Sequence, residues 1–161
     1  MKRALCFALF VLCSCAQVPL RPPGPNVDFD LLGRIAARYG SEAFTGNVAW
    51  RHARGGDEML ISTPLGQGVA RIVREGDAVQ LTTAEQKEYR APDTESLTER
   101  VLGFRLPLEG LADWVQGRPA PALESRGWKV EYLERDAQGR PALMRLRYQG
   151  IELRLAISEW R

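Results

Sequence analysis

The chain reads as a mainly β domain of the α+β class, built on one largely antiparallel sheet with short covering helices. Three observations predict this. Six stretches alternate apolar and polar residues with period two, which gives a strand one apolar face and one wet face. Gly55-Gly56, Gly76-Asp77 and Gln149-Gly150 fall where hairpin turns are needed. Only two segments carry helical spacing, so most strands follow one another directly and must pair antiparallel.

The first element is not part of the fold. Lys2 and Arg3 precede an unbroken apolar run, Ala4 to Cys13, which is too short to span a bilayer as a finished helix. Residues 1–14 therefore read as a secretory signal peptide. All three cysteines, Cys6, Cys13 and Cys15, lie in the first fifteen residues. Leu12-Cys13-Ser14-Cys15 resembles a bacterial lipobox, with Leu three places before Cys15 and a small residue just before it. Cys13 is an unusual residue at its place in that pattern. The resemblance implies that Cys15 is the lipid-attachment site and the first residue of the mature chain. An ordinary cleaved signal would instead leave Cys15 as a free thiol, a liability in an oxidising compartment. Either way no disulfide supports the mature domain.

Residues 15–30 form the next element. Pro19, Pro22, Pro23 and Pro25 predict a stiff, extended tether of up to ~3.1 Å per residue, or ~40 Å in all. Asp28 and Asp30 are expected to be solvated within it. Ala16, not Asp, follows Cys15. By resemblance to the enterobacterial sorting rule, that directs the lipoprotein to the outer membrane.

The domain is expected over residues 31–161. Phe44, Gly46, Val48 and Trp50 alternate with polar or small residues. Met59 to Ser62 is a short apolar strand. Ala70 and Ile72, then Val79 and Leu81, mark two more. Trp128, Val130 and Tyr132 alternate, as do Met144, Leu146 and Tyr148, and finally Ile151, Leu153, Leu155 and Ile157. Between the two groups lie the helices. Asp93 is a good N-cap, Leu97 and Val101 lie four apart on one face, and Gly103 stops the helix. Pro107 opens the second, whose stripe is Leu108, Leu111 and Val115 beside Trp114. Gly117 and Pro119 end it. Two short helices are little cover for roughly nine strands. Periodicity does not choose between a packed core, the commoner outcome, and a sheet curled around a cavity.

The composition excludes several function classes. With Lys2 and Arg3 removed, the basic and acidic residues number 20 each. No basic stripe is available to displace counterions from nucleic acid. The one histidine, His52, sits beside Arg51 at the polar end of a strand and reads as a surface residue. One histidine and no cysteine in the domain leave no thiol catalysis and no Cys/His zinc site. There is no G-x-S-x-G and no phosphate-binding G-x-x-x-x-G-K-[ST]. No enzyme activity, catalytic residue, metal or cofactor is expected.

One loop stands apart. Thr63-Pro64-Leu65-Gly66 suits a type I turn, with Pro second and Gly fourth. Leu65 then occupies the third position. Turn chemistry leaves two outcomes open: the leucine folds back on the core, or it protrudes as an apolar probe.

These residues, taken in order, resemble a known family. Gly33-Arg34-Ile35, Phe44-Thr45-Gly46, Trp50 and Thr63 to Gln67 are followed by Tyr89 to Asp93, Gly103 and Leu106-Pro107-Leu108. Leu111 to Gly117, Gly127 to Val130 and Trp160 complete the set. The pattern covers about residues 31 to 161 and is similar to that of the LolB family of outer-membrane lipoproteins. The resemblance implies a strongly curved antiparallel half-barrel whose helices cover an apolar cavity. It implies acceptance of lipoproteins from a LolA-like periplasmic carrier and their insertion into the outer membrane. Leu65, shaped by Pro64 and Gly66, takes the membrane-insertion role. Phe44, Val48, Trp50, Ile61, Val130, Leu146, Leu153 and Leu155 are expected to share one face and to contact acyl chains. Family members often carry a helix before the first strand; here residues 26–32 leave room for only a turn or two. The expected partners are the carrier, client lipoproteins and the outer membrane, with no nucleic acid, and a monomer is expected. The alternatives are a packed structural or assembly lipoprotein that binds protein partners, and a periplasmic lipid-processing enzyme, which the scarcity of His and Cys argues against.

Overall fold

Phe29, Leu31, Gly33, Ile35, Ala37 and Tyr39 form one alternating face, and they fold as the first and longest strand, β1 (Val27–Tyr39). The computed structural model describes residues 26–102 and 105–161. The signal peptide, Cys15, most of the tether and Gly103 lie outside the described residues. The strand begins where a tether was expected, so residues 27–30 belong to the sheet. Phe29 and Asp30 are both buried, and Asp30 is not solvated: its carboxylate accepts from Arg51 at 2.8 Å.

The other strands are β2 (Glu42–Ala53), β3 (Gly56–Ser62), β4 (Gly68–Glu75), β5 (Ala78–Thr83), β6 (Glu88–Ala91), β7 (Lys129–Arg135), β8 (Pro141–Tyr148) and β9 (Ile151–Trp160). They make one antiparallel sheet in the order β6-β5-β4-β3-β2-β1-β9-β8-β7. The sheet is open, with β6 and β7 at its two edges. Every pairing is between chain neighbours except β1 with β9, which brings the last strand back beside the first. At that seam the register shifts between Leu32 and Gly33. The strands approach so closely there that a Cβ on Gly33 would lie 2.4 Å from the Ala156 carbonyl oxygen. A bulge of this kind adds local twist.

Three helices cross from β6 to β7: α1 (Thr94–Leu102), α2 (Leu108–Val115) and the single-turn α3 (Pro121–Glu124), which the sequence reading did not anticipate. Asp93 caps α1 as expected, accepting from the Ser96 backbone N–H at 2.7 Å. The buried Thr98 hydroxyl accepts the Leu106 N–H at 2.8 Å and so joins α1 to the approach of α2. The Tyr132 hydroxyl donates to the Trp114 carbonyl at 3.0 Å, fixing the end of α2 to β7. Leu108, Leu111, Ala112, Trp114 and Val115 of α2 are buried in one cluster with the inward residues of the sheet. The helices thus cover one face of the sheet, and the other face is bare among the described residues.

Candidate functional site

Period-two alternation places every second side chain of adjacent strands on one face. Register then lines these residues up across strands. Ala37 pairs with Phe44 and Leu153, and Leu153 with Leu146. Val48 pairs with Ile61, Trp50 with Met59, and Met59 with Ile72. These side chains and Leu155 line an apolar recess of about 390 Å³, covered by Leu106, Leu111 and Val115. Of the eight residues expected on this face, Phe44, Val48, Trp50, Ile61, Leu146, Leu153 and Leu155 line the recess. Val130 does not. It pairs with Leu146, so it shares the face, but one strand further out it is taken up in packing against the core.

The recess has a direction. Its lining is buried at Trp50, Met59 and Ile72 and over a third exposed at Phe44 and Tyr39. It therefore opens at the sheet end that carries the β1–β2 turn. Strand β3 runs parallel in space to β1, since each is antiparallel to β2. The β3–β4 loop, residues 63–67, is accordingly at the same end.

That loop holds the turn the sequence predicted. The Gly66 N–H donates to the Thr63 carbonyl at 2.8 Å, and the Thr63 N–H donates to the Gln67 carbonyl at 2.8 Å. Gly66 has φ +86°, a left-handed conformation that glycine adopts without a steric cost. Leu65 is 91% exposed. It protrudes and makes no return to the core.

Behind the closed end of the recess lies a polar cluster. The Trp50 indole N–H donates to Asp57 Oδ1 at 2.9 Å. The same oxygen takes His52 Nδ1 at 2.6 Å, and Asp57 Oδ2 takes Arg74 Nε at 2.7 Å. Burial alone pushes the Asp57 carboxyl up, but hydrogen bonds from His52 and Trp50, attraction to His52 and the hydrogen bond from Arg74 outweigh it. They hold the carboxyl below the usual carboxylate range. His52 is thus not the surface residue expected from its neighbours. It is largely buried, paired with Asp57 and stacked on Phe29, ring centroids 5.1 Å apart. The sequence reading missed this cluster, because residues 50, 52, 57 and 74 come together only through the registers of three strands. Beyond it lies a more open cleft of about 720 Å³, whose lining mixes Arg51, Glu58, Arg71 and Arg90 with apolar residues such as Val73 and Val79. Its charges pair with each other, Arg71 with Glu58 and Arg51 with Glu58 and Asp30, so it is a poor place for an apolar guest.

No group of three or more His, Cys, Asp or Glu placed to hold a metal occurs among the described residues. No helix among them is long and apolar enough to cross a membrane. The arrangement offers an apolar binding space, a rim of exposed apolar side chains and a structural polar cluster behind them.

Residues 27–160 match the family described as outer membrane lipoprotein LolB. The chain is 36% identical to the outer-membrane lipoprotein LolB of Thiobacillus denitrificans, over 94% of this chain and 92% of that protein. It is 32% identical to the LolB of Chromobacterium violaceum, over 99% and 98%. With the LolB of Azoarcus sp. it shares 34% identity over 84% and 79%. These relatives bear the name of a lipoprotein and not of an enzyme. The chain belongs to the outer membrane lipoprotein LolB family.

Proposed function

We propose that this protein is a lipid-anchored receptor on the periplasmic face of the outer membrane. It accepts lipoproteins from a LolA-like carrier by taking their acyl chains into the recess, and it inserts them into the membrane, working as a monomer. The observation that carries this reading is the shared direction of the recess mouth and Leu65. A guest leaving the recess emerges at the sheet end that carries Leu65, the most exposed large apolar side chain among the described residues.

The energetics suit the role. Exposing three acyl chains, roughly forty methylenes at ~0.8 kcal/mol each, costs ~30 kcal/mol. Passage through water is closed, and transfer must run between apolar spaces. The apolar recess of about 390 Å³ is the space that would take up the acyl chains. Trp50, Met59 and Ile72 form the deep wall, and the Asp57 cluster behind them stops the guest. A tether carrying Cys15 and its lipid keeps the domain near the bilayer.

A two-stage assay tests this, scoring carrier-to-receiver transfer apart from receiver-to-liposome transfer. Leu65→Glu should accept cargo normally and fail at delivery, with stability within about 0.5 kcal/mol of the native protein. The carboxylate stays solvated in the free domain but resists entry into the membrane interface. Loss of both stages together, with the fold intact, would place Leu65 in the uptake surface and overturn its assignment as the insertion residue.

A further inference from the structure

The bare face of the sheet is electrically divided. Opposite the recess, residues with odd and even positions exchanged make up the outer face. In its β7–β8–β9–β1 half, register sets Lys129, Arg147, Glu152 and Arg38 in one row. The next row holds Glu131, Arg145 and Arg154. A third holds Glu134, Leu143, Ala156 and Arg34. Six cations thus face three carboxylates on a patch about 14 Å on a side. Three arginines share the two nearest carboxylates: Arg145 and Arg147 reach Glu131, and Arg147 and Arg154 reach Glu152. Arg34, Arg38 and Lys129 are exposed and have no carboxylate within salt-bridge distance among the described residues. In the other half of the face, Arg51 pairs with Asp30 and Glu58, Arg71 with Glu58, and Arg90 with Glu88. The excess is a local segregation, since basic and acidic side chains after residue 3 are equal in number.

The first row matters most. It carries three cations to one carboxylate. It is also the last row before the β1–β2 and β8–β9 turns, at the sheet end that bears Leu65 and the recess mouth. When Leu65 reaches the hydrocarbon boundary, these cations lie at the level of the headgroups. Guanidinium groups suit phosphate oxygens, which they bind in a planar, bidentate way.

We propose that this cationic outer face binds anionic phospholipid headgroups and so orients the domain with its mouth toward the bilayer. The proposal rests on the reading of Leu65 as the membrane-inserting residue. The described sheet, helices and core lie within residues 27–160, far in sequence from Cys15, so the chain from residue 15 with Cys15→Ser can be tested without its acyl anchor, its fold checked by circular dichroism. Cosedimentation would use phosphatidylcholine vesicles with and without phosphatidylglycerol. Binding to the anionic vesicles should be about tenfold tighter at low salt, the preference falling as salt rises. Arg38→Glu with Arg147→Glu should erase the preference; because both reversals face Glu152 and cost some stability, binding is measured well below the variant's own melting temperature. Glu131→Gln with Glu152→Gln should enlarge it. Equal binding to both vesicles, or a preference untouched by the charge reversal, would overturn the proposal. So would a reversal that leaves vesicle binding alone and blocks uptake from the carrier, which would make this face a protein-docking surface. Leu65→Gln, which adds no charge, should weaken binding to both vesicles and leave their ratio unchanged. Unchanged binding with that variant would refute the Leu65 reading alone, because the ratio reports on the cations.

Discussion

Trp50 and Asp57 are joined by a hydrogen bond of 2.9 Å between the indole Nε1 and a carboxylate with no side-chain exposure. The bond links the apolar wall of the recess to the polar cluster behind it. A carboxylate only accepts, so the His52 Nδ1 that meets the same oxygen must carry its proton. Arg74 occupies the other oxygen through Nε at 2.7 Å and Nη2 at 2.6 Å. Asp57→Ala removes the acceptor that all three donors share. It should destabilise the fold by about 3–5 kcal/mol, the usual cost of breaking a buried ion pair from one side. Urea unfolding measures it, and a loss below about 1 kcal/mol would show that the cluster is dispensable.

The same residue makes stability depend on acid. The folded Asp57 carboxyl lies below its ordinary range, so near pH 4 the unfolded chain binds the proton more readily. The stabilisation is complete above the unfolded value of about 3.9 and is lost as pH falls through the lower folded value. Melting curves of the native protein should hold steady from neutral pH to about pH 5 and drop steeply below pH 4. Asp57→Asn should be less stable at neutral pH and show a shallower acid limb. Parallel curves for the two proteins would assign the acid sensitivity to other carboxylates.

Two substitutions separate the recess from the core. Leu153 is buried in the lining and Phe44 stands at the mouth, 37% exposed. Leu153→Glu should impair both stability and lipoprotein uptake, because an unpaired carboxylate there is costly. Phe44→Glu should keep its melting temperature, since its carboxylate reaches water, and still reduce uptake at the carrier stage. Normal uptake by a stable Phe44→Glu protein would remove the mouth from the path of the acyl chains.

The anchor is tested by labelling. Cys15→Ser should take up no radioactive fatty acid in growing cells, whereas the native chain should. Undiminished label in the variant would move the acylation site elsewhere.

Much of the sheet was legible because one face is apolar and the other wet. Val48, Trp50, Leu146 and Leu153 announce themselves by alternation alone. Strand β1 escaped because Leu31 and Leu32 are adjacent apolar residues, Gly33 adds no side chain, and a proline-rich run precedes them. Strand β6 has four residues, too few to establish a period. The turn at Thr63–Gly66 followed from proline and glycine preferences, but those preferences do not say which way Leu65 points. The Asp57 cluster could not be read at all. Its members meet through pairings such as His52 with Asp57 and Asp57 with Arg74, and pairing register is a property of the whole sheet. Val130 was placed on the right face, but how far the recess extends across that face depends on where the helices rest.

A lone leucine on a stiff turn is a weak hold. Burying one such side chain is worth about 1.5–3 kcal/mol, which shifts an equilibrium roughly 10- to 150-fold. Such a contact forms readily for a tethered domain and breaks just as readily. In the proposed role, Leu65 would give the domain a brief touch on the bilayer and then let it withdraw. A longer apolar loop would bind more tightly and leave the receiver lodged beside its last cargo. One residue at the tip favours turnover over residence, so a single domain can serve many deliveries in succession.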